Sequence, residues 1–124
     1  MGIFGCCTDN YLPNGIIIDV RSRGEYDGGH VKDSINIPHH EIGQKINEYV
    51  KDKNAPINVY CAAGSRASAA KSTLINLGFI NVANLGGYSD AVKKINDYNN
   101  NNKSEWNILS KLFIYLFKEY FRHI

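Results

Sequence analysis

Cysteine is scarce in this chain. The three residues Cys6, Cys7 and Cys61 are too few and too unevenly placed for a disulfide framework, and no secretory segment follows the start. A reducing, cytoplasmic setting is therefore expected. Charge of one sign is missing too: 14 Lys and Arg stand against 12 Asp and Glu, a formal net charge of +2, with no basic run to track a phosphate backbone. Nucleic acid is not expected as a partner. No stretch reaches the roughly 20 apolar residues that span a bilayer, because Lys111 and Lys118 interrupt the most apolar segment. Metal-ligand spacing and internal repeats are absent as well, so no metal or cofactor is expected. Asn102-Lys103-Ser104 matches a glycosylation triplet but stands in an Asn-rich stretch without a signal peptide, and carries no weight.

What is present is an ordinary globular composition, 44% hydrophobic and 21% charged, in a length of 124 residues that suits one core. Residues 1–14 read as an irregular arm. Residues 15–98 read as one α/β domain, a small parallel sheet flanked by helices. Its strands are the β-branched runs Ile16 to Val20 and Ile57 to Tyr60, with shorter candidates at Ile35 to Ile37 and Val82 to Leu85. Helical spacing is found from His40 to Asp52 (Ile42, Ile46, Tyr49, Val50), from Ala67 to Leu77 (Ala70, Leu74, Leu77), and from an N-cap at Ser89 to Tyr98. The four asparagines Asn99 to Asn102 predict a break, and residues 99–104 a linker. From 105 to 124 an amphipathic helix is expected, its stripe marked by Trp106, Leu109, Phe113, Leu116 and Tyr120.

The residue types around Cys61 point to chemistry. Cys61 closes a strand and Ala62-Ala63-Gly64-Ser65-Arg66 follows before a helix begins, and ligands gather at such strand ends. Small residues let the backbone curl so that N–H groups point at the sulfur, favouring thiolate, and the Arg66 guanidinium acts in the same direction while offering a bidentate oxyanion site. On local physics alone, an inert buried cysteine is an equal reading.

The stretch Val59 to Ala67 resembles the active-site loop of the rhodanese family. Asp19-Val20-Arg21, Glu25-Tyr26, Gly29-His30-Val31 and Ile35-Asn36-Ile37-Pro38 resemble the family's first signature, in order. Leu77-Gly78-Phe79 and Asn84 to Tyr88 resemble the segment after the loop helix. The likeness covers about Ile16 to Val92 and is closest to the short, phage-shock type, with the C-terminal amphipathic helix extra to it; Asp33 stands where the family more often has Gly. The resemblance implies a sulfurtransferase in which Cys61 takes sulfur from thiosulfate or a related donor as a persulfide. It passes the sulfur to cyanide in an assay, or to glutathione, thioredoxin or a protein thiol. Arg66 would bind the donor's sulfonate, and the amides of Ala62, Ala63, Gly64, Ser65 and Arg66 would stabilise the persulfide. Asp19 and Arg21 would support the strand end with a charge pair to a carboxylate such as Glu25, and His30 would bond within the fold.

Two other functions share this fold: a binding or regulatory module, and a phosphatase or arsenate reductase, whose C-x5-R loop is one residue longer than the C-x4-R here. The ends of the chain carry separate expectations. Gly2, Cys6 and Cys7 could accept myristate and palmitate and hold the protein on a membrane, against the alternative of a plain flexible arm. A transfer of sulfur or a disulfide between Cys61 and Cys6 or Cys7 is a further option. The terminal helix is expected to pack on the sheet or a neighbouring helix, the alternative being a membrane-surface or self-association face.

Overall fold

A computed structural model describes residues 8–123, with side chains throughout except at 103–107. The two β-branched runs form the middle of a four-stranded, all-parallel sheet: β1 (Ile16–Asp19) lies beside β3 (Ile57–Cys61) with Ile16 opposite Ile57 and Asp19 opposite Tyr60. The short β2 (Ile35–Asn36) flanks β1, and β4 (Val82–Gly87) flanks β3, giving the order β2-β1-β3-β4. Parallel neighbours need crossovers, and helices supply them. These are α1 (Arg23–Asp27), α2 (Ile42–Lys45) continued by a 3-10 turn over Ile46–Glu48, and α3 (Ser65–Asn76). Every residue of β3 and β4 is buried.

The core gathers Ile18, Val59, Ile37, Ile42, Leu74 and Phe79, all at 1% exposure or less. Each such side chain contributes about 1.5–3 kcal/mol by leaving water. Among the described residues, no buried side-chain nitrogen or oxygen lacks a partner. Asn58, fully buried in β3, accepts from Leu12 N at 2.8 Å and donates to Leu12 O at 2.9 Å, so one side-chain amide pairs both backbone groups of the incoming arm. Asp9 fastens the same arm further along. Its backbone N–H donates to Asn84 O, its carboxylate takes Asn84 N and Lys71 Nζ, and its carbonyl takes Lys94 Nζ.

Several helical expectations need correction. The pattern from His40 to Asp52 winds as one α-turn followed by a 3-10 turn; Ile42, Ile46 and Val50 keep their buried spacing, but the tighter winding turns Tyr49 out to 51% exposure. α3 ends at Asn76 and Leu77 lies beyond it, 40% exposed. α1 was not anticipated. It is opened by a capping box, Ser22 Oγ accepting from Glu25 N while the Glu25 carboxylate accepts from Ser22 N. The last helix, α4 (Tyr88–Arg122), follows β4 directly, so Ser89 lies inside it and is not its cap. It also runs through Asn99 to Asn102 without a break. Asparagine is only a poor helix former, at a cost below about 0.7 kcal/mol per residue, and no Gly or Pro occurs from Tyr88 onward to stop the winding.

The contacts divide the chain into two units, one ending at Lys94 and holding the sheet and core, the other beginning at Ile95. The boundary thus precedes the expected 99–104 linker. Between Ile108 and Phe121 the large apolar side chains are more than half exposed. No described helix is long and apolar enough to cross a membrane. The acylation expected at Gly2, Cys6 and Cys7 lies outside the described residues.

Candidate active site

Cys61 ends β3, and the backbone there leaves regular pairing: the register with β4 shifts between Val59 and Cys61, so that Cys61 faces Gly87. A side chain at Gly87 would collide with the Ala62 carbonyl, so glycine lets β4 pass close to the loop. The turn itself is made at Gly64, whose φ of 101° lies in the left-handed region, and α3 starts at the next residue. Gly64 provides no side-chain cap for α3; the Cys61 sulfur takes that place. It accepts the backbone N–H of Gly64 at 2.9 Å and of Ala67 at 3.4 Å. The sulfur is fully buried, and the amides directed at it suit a sulfur that carries negative charge.

Of the loop amides expected at the sulfur, Gly64 is one donor, and the second comes from Ala67, one residue beyond Arg66. Ala62, Ala63 and Ser65 are exposed on the rim. Arg66 is held end-on by Glu25, Nη1 to Oε1 at 2.7 Å and Nη2 to Oε2 at 3.1 Å. Two of its five N–H groups are thus engaged and three remain for an anion. The guanidinium and the Ser22 cap together draw the Glu25 carboxyl down to about 2, and Glu25 in turn raises Arg66.

Arg21 does not pair with Glu25, the partner suggested by sequence. Its carboxylate is Asp19, fully buried, which accepts from Arg21 Nε, Nη2 and backbone N, and from the Tyr60 hydroxyl at 2.7 Å. The reason is proximity: two residues apart at a strand end, Asp19 and Arg21 meet before α1 carries Glu25 off towards Arg66. Tyr60, adjacent to Cys61, also accepts Val31 N, and burial pushes its hydroxyl up to about 12. Arg21 donates to Gly29 O at 2.6 Å and lies over the Tyr88 ring at 4.9 Å, tying β1 to the start of α4. His30 is exposed, with Nδ1 2.8 Å from Tyr26 O and its ring stacked on Tyr26. Asp33 takes φ 67°, the left-handed conformation that explains why glycine is usual at its position and that Asp tolerates better than most residues.

Sequence reasoning missed three contributors, Ser22, the Tyr60 hydroxyl and the Tyr88 ring. The two tyrosines lay in the family motifs but gave no signal of these roles, whereas Ser22 with Glu25 three residues on was readable as a capping box. An open cleft of about 570 Å³ lies beside the loop, lined by Arg21, Ala62, Tyr88, Ser89, Val92 and Lys93.

The chain is similar to known proteins. The chain is 42% identical over 73 residues to the thiosulfate sulfurtransferase PspE of Escherichia coli, a match covering 59% of this chain and 70% of that one. It is 35% identical over 89 residues to a tRNA sulfurtransferase of Thermoplasma acidophilum, of which it covers only 17%, against 72% of its own length. Among solved structures, a rhodanese with anions from E. coli superposes with a TM-score of 0.60 at 41% identity, over 61% of this chain and 89% of that one. The model of the rhodanese-like domain matches residues 8–94, from the arm that Asp9 fastens to the first turns of α4, and the chain belongs to that family.

Proposed function

We propose that this protein is a thiosulfate sulfurtransferase working through a persulfide on Cys61. The observation that carries the reading is the pair of backbone N–H groups, Gly64 and Ala67, aimed at a buried sulfur next to a guanidinium. In the reaction, the Cys61 thiolate attacks the outer sulfur of thiosulfate; the donor's S–S bond breaks and sulfite leaves with its electron pair. Arg66 holds the departing sulfonate with the N–H groups that Glu25 leaves free. The persulfide then gives its outer sulfur to an attacking thiolate or cyanide, and Cys61 leaves as thiolate. The acceptor in this reading is of the thiol class, such as glutathione, thioredoxin or a protein cysteine, and the open cleft beside Ala62 gives its thiol a way of approach.

Incubation with thiosulfate alone, followed by intact mass measurement, tests this reading. Wild type should gain the mass of one sulfur atom and release it as thiocyanate on adding cyanide, and Cys61→Ala should do neither. A folded wild-type protein that gains no sulfur would refute the enzyme and leave a binding module.

A further inference from the structure

The apolar surface of α4 is far larger than the sulfur-transfer site needs. Between Ile108 and Phe121, ten large apolar side chains are 53–68% exposed. At about 100° per residue they are not spread evenly. An arc of about 200° runs from Leu112 through Leu116, Tyr120, Phe113 and Phe117 to Ile114, and only Ile108 and Tyr115 fall outside it. Opposite the middle of this arc, Lys111, Lys118 and Arg122 follow one another at intervals of seven and four residues, within about 40° of a single line. Over residues 108–123 these three cations face one carboxylate, Glu119, which pairs with Arg122 at 3.2 Å.

We propose that this part of α4 is a bilayer-surface helix, its aromatic face sunk in the interface of an anionic membrane and its cationic stripe at the headgroups. Arc width selects the occupant. A partner helix covers a narrow seam; one through Leu109, Phe113, Leu116 and Tyr120 would leave Leu112, Ile114, Phe117 and Phe121 in water. A bilayer covers half the circumference or more. With an apolar arc wider than a half-turn, the axis sits below the interface and the opposite face comes level with the phosphates, where cations are favourable. Among its described residues the helix has no span long and apolar enough to cross a membrane.

The test is co-sedimentation of the full-length protein, free of acyl adducts by intact mass, with vesicles of phosphatidylcholine alone or mixed in equal parts with phosphatidylserine. Binding to the mixed vesicles should exceed binding to phosphatidylcholine by roughly tenfold or more and weaken with salt. Phe113→Asp with Phe117→Asp should abolish it while thiosulfate turnover stays unchanged, which reports that the sheet unit is still folded. Equal binding to both lipids, or none to either, would overturn the proposal. So would a concentration-dependent dimer in sedimentation equilibrium that the same double substitution dissolves, since the face would then belong to a second copy.

Discussion

Asp19 shows how much of the site depends on one atom group. It is fully buried and is the counter-charge for Arg21 and the acceptor for Tyr60. Replacing it by Asn leaves a guanidinium nearly out of water without its partner, which costs about 3–5 kcal/mol. Tyr60→Phe removes one hydroxyl from the same cluster and should cost about 1–3 kcal/mol. Urea denaturation of the two variants checks both values, and their order is the stronger expectation. Glu25 makes a different prediction because its pair with Arg66 is about a third exposed and screened by solvent. Its carboxyl falls from an ordinary 4.5 to about 2 on folding, so the stability it contributes is complete above pH 4.5 and is lost as pH falls towards 2. The melting temperatures of wild type and Glu25→Gln should therefore differ modestly at neutral pH and converge across that window.

At the scale of elements, α4 winds through a segment of low intrinsic propensity. The four asparagines are flanked by the weak helix formers Asn96, Asp97, Tyr98 and Ser104, and the helix continues because no Gly or Pro stops it, so replacing Asn100 and Asn101 by Ala should deepen the far-ultraviolet helical signal and raise its thermal midpoint. An unchanged signal would mean the run is not wound as described. The four strands and the Cys61 loop were legible because they are local patterns: a β-branched run, a small-residue turn, a helix start. The short α1 was legible only through Ser22-x-x-Glu25, since its five residues bury nothing. What Glu25 does was not legible, because Arg66 lies 41 residues away and only the fold brings them together. The 3-10 continuation of α2 was hidden for another reason: Ile42, Ile46 and Val50 are buried under either winding, so apolar spacing alone cannot decide between them.

For the whole molecule, the division at Lys94 has a direct consequence. Every described residue of the main core cluster lies between Ile16 and Val82, within the first unit. A chain ended after Asn102 should stay folded, unfold in one cooperative step, and keep its thiosulfate turnover within about twofold, because distant independent sites add. Unfolding of that chain would mean the exposed face supports the core after all. The clasp at Asp9 sets a different property of the whole chain, the order in which it is assembled. Asp9 joins residues 62, 75 and 85 positions away, closing loops almost as long as the family domain itself. Contacts so remote in sequence form late, after the local helices and the central strands have met. The arm therefore acts on the rate of coming apart: loosening Asp9 should steepen escape from the native state and leave the speed of folding almost untouched.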